Sequence, residues 1–272
     1  MKKINCISCD SSENTVFKEQ LFNDKYLDLI DPKLNKIERQ WVKCNKCSFI
    51  FHNPQLNSQE IIDLYDKYRD SSFRNETSDE YFDRITSLPS SQSENLEKII
   101  WIENNIKRHI ESDGSILDIG SGGGVFLYTF LQRYTKWSAY GVDPTPEFSE
   151  LARRKVGAKV HTGQYTYGLF NKQFDFIVCN QVLEHIVDPV SFLESAYKDL
   201  KKGGIFYVEV PGVEDFKELP SDHDRFHIQH LWYFSKQTLL DFMKKSGFTI
   251  ETIKEKKSIR GRNHFVAIMS KD

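Results

Sequence analysis

The stretch that most constrains this chain is Ser115-Ile116-Leu117-Asp118-Ile119-Gly120-Ser121-Gly122-Gly123-Gly124-Val125. A short run of buried-strand character leads straight into a glycine-rich turn. Phe126, Leu127, Phe130 and Leu131 then mark one face of a helix. So tight a turn needs positive φ, and a backbone that approaches a ligand closely leaves no room for Cβ. The helix start beyond it offers unpaired N–H groups to polar or anionic atoms. These features point to a nucleotide-type cofactor. A dinucleotide fingerprint, G-x-G-x-x-G, would put its third glycine at 125, where Val125 stands. The glycines fall instead at 120, 122 and 124, with Asp118 two residues ahead of the first. A second strand, ending in Tyr140-Gly141-Val142-Asp143, brings a carboxylate that can accept both hydroxyls of a ribose.

The run Asp118-x-Gly120-x-Gly122-x-Gly124 resembles the first motif of class I S-adenosylmethionine-dependent methyltransferases, D/E-x-G-x-G-x-G. The resemblance covers roughly residues 93–272. It implies an α/β fold, a doubly wound, mostly parallel seven-stranded sheet of Rossmann-like build, with S-adenosylmethionine as cofactor. It also implies that Asp118 serves the methionine end, Gly120, Gly122 and Gly124 the loop, and Asp143 the ribose. Gln164 falls where relatives contact the adenine amino group, and Asn180 and Gln181 where the chain passes beneath the sulfonium. An ordinary tight turn, an NAD-type site and a non-catalytic scaffold are the rival readings.

The 272 residues suffice for one ordinary domain plus an appendage. With a net charge of −2, no global field draws the chain to nucleic acid or to an anionic membrane. The start, Met1-Lys2-Lys3-Ile4-Asn5-Cys6, lacks the apolar core of a signal peptide, and no apolar run reaches a membrane span. The expectation is a cytoplasmic protein acting on a small molecule.

Four of the five cysteines are paired as Cys6-x-x-Cys9 and Cys44-x-x-Cys47. In a reducing compartment such knuckles suggest a tetrahedral thiolate site for structural zinc. The interval 10–43 exceeds the roughly 15–20 residues usual between such pairs, so a hairpin insertion over Val16–Phe22 and Arg39–Lys43 is expected. The run from Cys44 to Pro54 is similar to the zinc ribbon that precedes the methyltransferase domain in bacterial enzymes acting on sugars and surface-polysaccharide precursors. That likeness implies a phosphorylated or nucleotide-linked acceptor. The sequence thus divides into a ribbon (1–57), a helical or lid connector (58–92) bearing Tyr65, Tyr68, Tyr81 and Phe82, and a methyltransferase domain (93–272). Tyr68 is taken as a substrate contact; the alternative for these aromatics is packing of the ribbon on the main domain.

Ligands of open parallel sheets bind at the carboxyl ends of the strands. One such end reads Cys179-Asn180-Gln181-Val182-Leu183-Glu184-His185. It lacks the N/D-P-P-Y run of many methyltransferases that act on amino groups, which disfavours an rRNA or other nucleic-acid substrate. Cys179 reads as a small buried hydrophobe. The connection 211–234 holds His223, His227 and His230, and long connections in compact domains are usually functional. Family pattern favours His230 as the base that takes the acceptor proton, followed by His227 and His185. The spacing of His227 and His230 puts both on one face of a helical turn. A metal set (His223, Asp224, His227), a scaffold hydrogen bond from His230 and simple pocket-shaping remain alternatives. Arg260-Gly261-Arg262 is expected in a turn overhanging the acceptor, where guanidinium forks could grip a phosphate; a solvated basic turn is the alternative.

Overall fold

The structure is a computed structural model and describes residues 1–20, 22–68, 76–110, 113–216, 218–220 and 222–272. A seven-stranded sheet runs in the order β10-β11-β8-β7-β4-β5-β6. Its strands are β4 (Ser115–Ile119), β5 (Ser138–Asp143), β6 (Lys159–Thr162), β7 (Phe174–Asn180), β8 (Leu200–Pro211), β10 (Thr249–Lys257) and β11 (Asn263–Ser270). β4, β5, β6, β7 and β8 pair in parallel, and β11 is antiparallel to both of its neighbours. The fold is the doubly wound α/β architecture read from the sequence, and β10 runs in the same direction as β8, as expected.

Alternation along the strands sorts side chains into two cores. Ile116, Phe176, Val178, Ile205, Tyr207, Val266 and Ile268 face one side, where they meet α4 (Glu94–Ile110) and α5 (Val125–Leu131). Leu117, Ile119, Ile177, Cys179, Phe206, Val208 and Ala267 face the other, against α7 (Pro189–Asp199) and α8 (Lys236–Lys245). α6 (Pro146–Val156) follows β5 and packs on α5.

A second sheet, in the order β1-β2-β3-β9, combines β1 (Asn14–Glu19), β2 (Gln40–Cys44) and β3 (Ile50–Asn53) with β9 (Trp232–Tyr233). The expected hairpin is present as β1 and β2, with α1 (Lys25–Ile30) and a short 3₁₀ turn between them. The strand β9 was not foreseen. It comes from the long connection after β8 and pairs with β3, so the N-terminal sheet is closed by a distant part of the chain. Phe49 and Phe51 join the same apolar cluster as α7 and α8.

The connector holds α2 (Ser58–Tyr68) and α3 (Ser78–Thr86). α3 starts with a capping box, Thr77 with Glu80, two mutually satisfied end groups that fix its position. The side chain of Tyr68 lies outside the described residues. Among the described residues no helix is long and apolar enough to cross a membrane.

Candidate active site

The glycine loop is held by its nearest neighbours. Gly120 has φ +77, and a Cβ there would stand 2.3 Å from Val182 Cγ2. Gly124 has φ +83 and caps α5; a Cβ there would come within 2.9 Å of Ala152 and Val156, so its bareness lets α5 close on α6. Gly122 faces open space and donates its N–H to Asp143 Oδ2 at 2.8 Å. Asp143 Oδ1 accepts from the Thr145 N–H at 2.9 Å. Asp143 therefore ties the loop to the end of β5 while keeping lone pairs for further donors.

A cavity of 620 Å³ opens beside the loop, a size suited to a cofactor and part of an acceptor. Gly120, Asp143, Gln164, Asn180, Gln181 and His185 line it. Ile61, Ile62 and Tyr65 of α2, with Ile186 and Val187, give it an apolar wall. Asp118 is buried one residue ahead of Ile119, which lines the cavity, and is not itself in the lining. Burial, reinforced by the neighbouring Asp143, pushes its carboxyl up to about 8. A bound ammonium group would reverse that shift, which fits the methionine end of S-adenosylmethionine.

The end of β7 carries a second set of groups. Gln181 sits in the left-handed region, φ +56, and its N–H donates to the Glu209 carbonyl at 2.9 Å. Its side-chain amide donates to Glu209 Oε1 at 3.0 Å and lies 2.8 Å from His264 Nδ1. Lys98 of α4 is 3.1 Å from Glu209 Oε1 and donates to Asn180 Oδ1 at 3.1 Å, while the Tyr207 hydroxyl donates to Glu209 Oε2 at 2.6 Å. This buried network pins the strained Gln181 backbone, and Lys98, Glu209 and His264 gave no signal in the sequence.

One turn further on, Glu184 is 1% exposed, and among the described residues neither carboxylate oxygen has a hydrogen-bond partner. Burial, with Glu209 nearby, pushes its pKa up to about 8. His185 and His230 stand beside it, the ligand atoms of all three within 4.8 Å of one another and the rings 4.8 Å apart. Each imidazole donates from Nδ1 to a backbone carbonyl, His185 to Gln229 at 2.5 Å and His230 to Arg225 at 3.2 Å. Carbonyls only accept, so the neutral ring of each carries its proton on Nδ1. Burial holds His230 well below the ordinary imidazole range, which keeps the ring neutral near pH 7 and makes it a weaker base than a free imidazole.

Residues 95–253, more than half the chain, match the family described as methyltransferase domain. The chain belongs to that family. A ubiquinone biosynthesis O-methyltransferase of Pseudomonas entomophila (strain L48) is 26% identical over 129 residues, 46% of this chain and 54% of that protein. The chain thus spans about half the length of the curated relatives it matches. A SAM-dependent methyltransferase from Thermotoga maritima superposes with TM-score 0.51 at 21% identity, covering 74% of this chain and 97% of that one. The [4+2]-cyclase SpnF superposes with TM-score 0.54 at 13% identity, covering 68% and 84%. Since a cyclase has the same fold, the reaction must be argued from the site.

In this chain two expected placements need correction, those of His227 and of the two arginines, and the connector aromatics divide between packing and the cavity. His227 does not share a face with His230. The single 3₁₀ turn Asp224–Phe226 ends before it, and its ring donates to Asp24 Oδ1 at 3.0 Å, between Phe22 and Tyr26, outside the cavity. Arg260 and Arg262 do lie in the turn after β10, but their forks are engaged: Arg260 with Glu94, Arg262 with Asp224 at 3.1 Å. Neither arginine lines the cavity. Tyr81 and Phe82 pack near Phe148 on α6, a structural role, whereas Tyr65 reaches the cavity.

The four paired cysteines converge, Cys6 with Cys47 and Cys9 with Cys44 at 3.5 Å between sulfurs, all four within 4.8 Å. A tetrahedral ion with metal–sulfur bonds of about 2.3 Å needs sulfur separations of about 3.8 Å, so the set fits zinc. Burial pushes the Cys6 thiol up. It also acts on Cys44, but the backbone N–H groups of Cys47 and Lys46 outweigh it and bring that thiol down to about 7. Such a thiol is readily lost to a metal.

Proposed function

We propose that this chain transfers a methyl group from S-adenosylmethionine to a hydroxyl of a small-molecule acceptor. The observation that carries the reading is that His185, one member of the Glu184–His185–His230 cluster, lines the glycine-loop cavity just past the end of β7. S-adenosylmethionine supplies a methyl group on a sulfonium that leaves as a neutral thioether. Asp143 and Gln164 hold its adenosine, Asp118 its ammonium, and the Asn180–Gln181 backbone its methyl end. The hydroxyl proton passes to Nε2 of His185, which lines the cavity, with His230 and Glu184 packed beside it. The chain's remaining task is alignment, a large part of the rate when geometry is good.

The ribbon's likeness supports an acceptor that is a sugar or nucleotide-linked precursor of a surface polysaccharide, met in the cytoplasm. The apolar wall of Ile61, Ile62, Tyr65, Ile186 and Val187 favours a second reading, a ring-bearing phenol, in keeping with the names of the curated relatives. A phenol, with a pKa near 10, also gives up its proton to imidazole more easily than an alcohol does. Transfer of labelled methyl from S-adenosylmethionine to nucleotide sugars and to catechols, run side by side, separates the two. Label in neither class of acceptor would count against both. Cys6, Cys9, Cys44 and Cys47 hold one structural zinc ion in this reading, with no open position for catalysis.

A further inference from the structure

The N-terminal sheet and the transfer cluster meet along the segment 227–233. The carboxylate of Asp24, buried at the start of α1, accepts four hydrogen bonds. Two come from its own region: the Tyr26 N–H at 3.0 Å and Arg39 Nη2 at 2.9 Å. The other two come from the far segment: His227 Nδ1 at 3.0 Å and the Ile228 N–H at 2.6 Å. The next residues of that segment hold the turn that bears Glu184 and His185. The Gln229 carbonyl accepts from His185 Nδ1 at 2.5 Å, the Leu231 N–H donates to the Glu184 carbonyl at 2.8 Å, and the Trp232 indole donates to the Ile186 carbonyl. His52 and Gln55 hold the Leu231 carbonyl from the ribbon side. A module that only recruited a partner would need none of these bonds.

We propose that Asp24 is a positioning residue for the transfer cluster, fixing through segment 227–231 the place and tautomer of His185. This rests on the reading that Glu184, His185 and His230 serve the reaction. The carboxylate fastens two successive residues at once, His227 and Ile228. That sets the path of the backbone at Gln229, whose carbonyl is what keeps the His185 proton on Nδ1. Its grip is charge-assisted, since both Arg39 and the carboxylate are removed from water.

The test is the native-state nitrogen-15 spectrum of the imidazoles and indoles in the zinc-loaded full chain. In the wild type His185 is expected as the Nδ1–H tautomer. In Asp24→Asn it is expected to become a mixture with Nε2–H, and the Trp232 indole resonance to shift, while Gly120, Gly122 and Gly124 stay in place. The Kd for S-adenosylmethionine is expected to stay within about threefold, below the worth of a single hydrogen bond to a charged group. Should Asp24→Asn fail to fold, His227→Phe removes one of the two far bonds without leaving the Arg39 charge unpaired, and the same spectrum is read. A merely structural Asp24 would lower the melting temperature and leave the His185 tautomer alone, and that result overturns the proposal. Failure of the transfer reading looks different: His185→Ala would then leave methyl transfer unchanged although the tautomer still responds to Asp24.

Discussion

Two loops overhang the strand ends, and they are held in opposite ways. The glycine loop is fastened to its own neighbourhood, Gly122 to Asp143 only 21 residues on. The long connection after β8 is fastened to the N-terminal sheet. Tyr233 meets Trp41 across 192 residues, His227 meets Asp24 across 203, and Ile228 meets Asp24 across 204. A locally braced loop needs only its own βαβ unit to form. A loop braced from afar takes its shape only when the whole chain is folded, and its stability is that of the ribbon that grips it. The cofactor half of the site is therefore expected to be robust and the acid–base half conditional.

Breaking the ribbon should give the largest effect. Cys44→Ser leaves three thiolates and is expected to lose the zinc and lower the melting temperature by about 10 °C, given the size of structural-zinc binding energies. Elemental analysis and a thermal scan check both. An unchanged melting temperature in a zinc-free variant would remove the ribbon's role as a brace. Next comes the cluster itself. His185→Ala is expected to lose at least about 10²-fold in kcat while the Kd for S-adenosylmethionine is kept, with His230→Ala similar. A rate within a few-fold of wild type in both would mean that alignment alone drives transfer.

The glycine-loop half has its own signature in pH. Without ligand, the Asp118 carboxyl is neutral below about 8. An ammonium ligand prefers the carboxylate, so affinity should weaken as pH falls below about 8, approaching about tenfold per unit. The raised pKa also means that the ligand-free protein gains stability from this group as pH falls from about 8 towards the unfolded value near 4. Titration calorimetry at several pH values measures the first effect, and Asp118→Asn should flatten the profile. The smallest effect is expected at Arg260, already paired with Glu94 on the surface. Arg260→Glu should cost about 1 kcal/mol or less in stability and leave the acceptor KM where it was. A raised KM would restore the phosphate grip that this ion pair speaks against.

The contrast between the loops also explains what could be read in advance. The glycines, Asp118 and Asp143 are local features whose spacing carries their geometry, so the mostly parallel seven-stranded fold and the glycine loop at a strand end are legible. β9 and the Asp24–His227 pair depend on contacts some 200 residues apart, for which one sequence carries no periodic signal. His227 departs from the helical face its spacing to His230 implies, because the 3₁₀ turn stops one residue short of it. Glu184 carries no signal in the sequence, because nothing in the run around it tells that both oxygens are buried with no hydrogen-bond partner among the described residues. α3 could have been found, since Thr77-x-x-Glu80 is a readable helix start.

The cofactor half bears the central claim, and titration of S-adenosylmethionine into the zinc-loaded protein and into Asp143→Ala tests it most directly. Saturable one-to-one heat is expected in the wild type. The variant should bind more weakly by about 1.5–3 kcal/mol, the worth of hydrogen bonds to a charged group. No heat in the wild type, or equal affinity in the two proteins, would contradict the placement of the cofactor against Gly120 and Asp143.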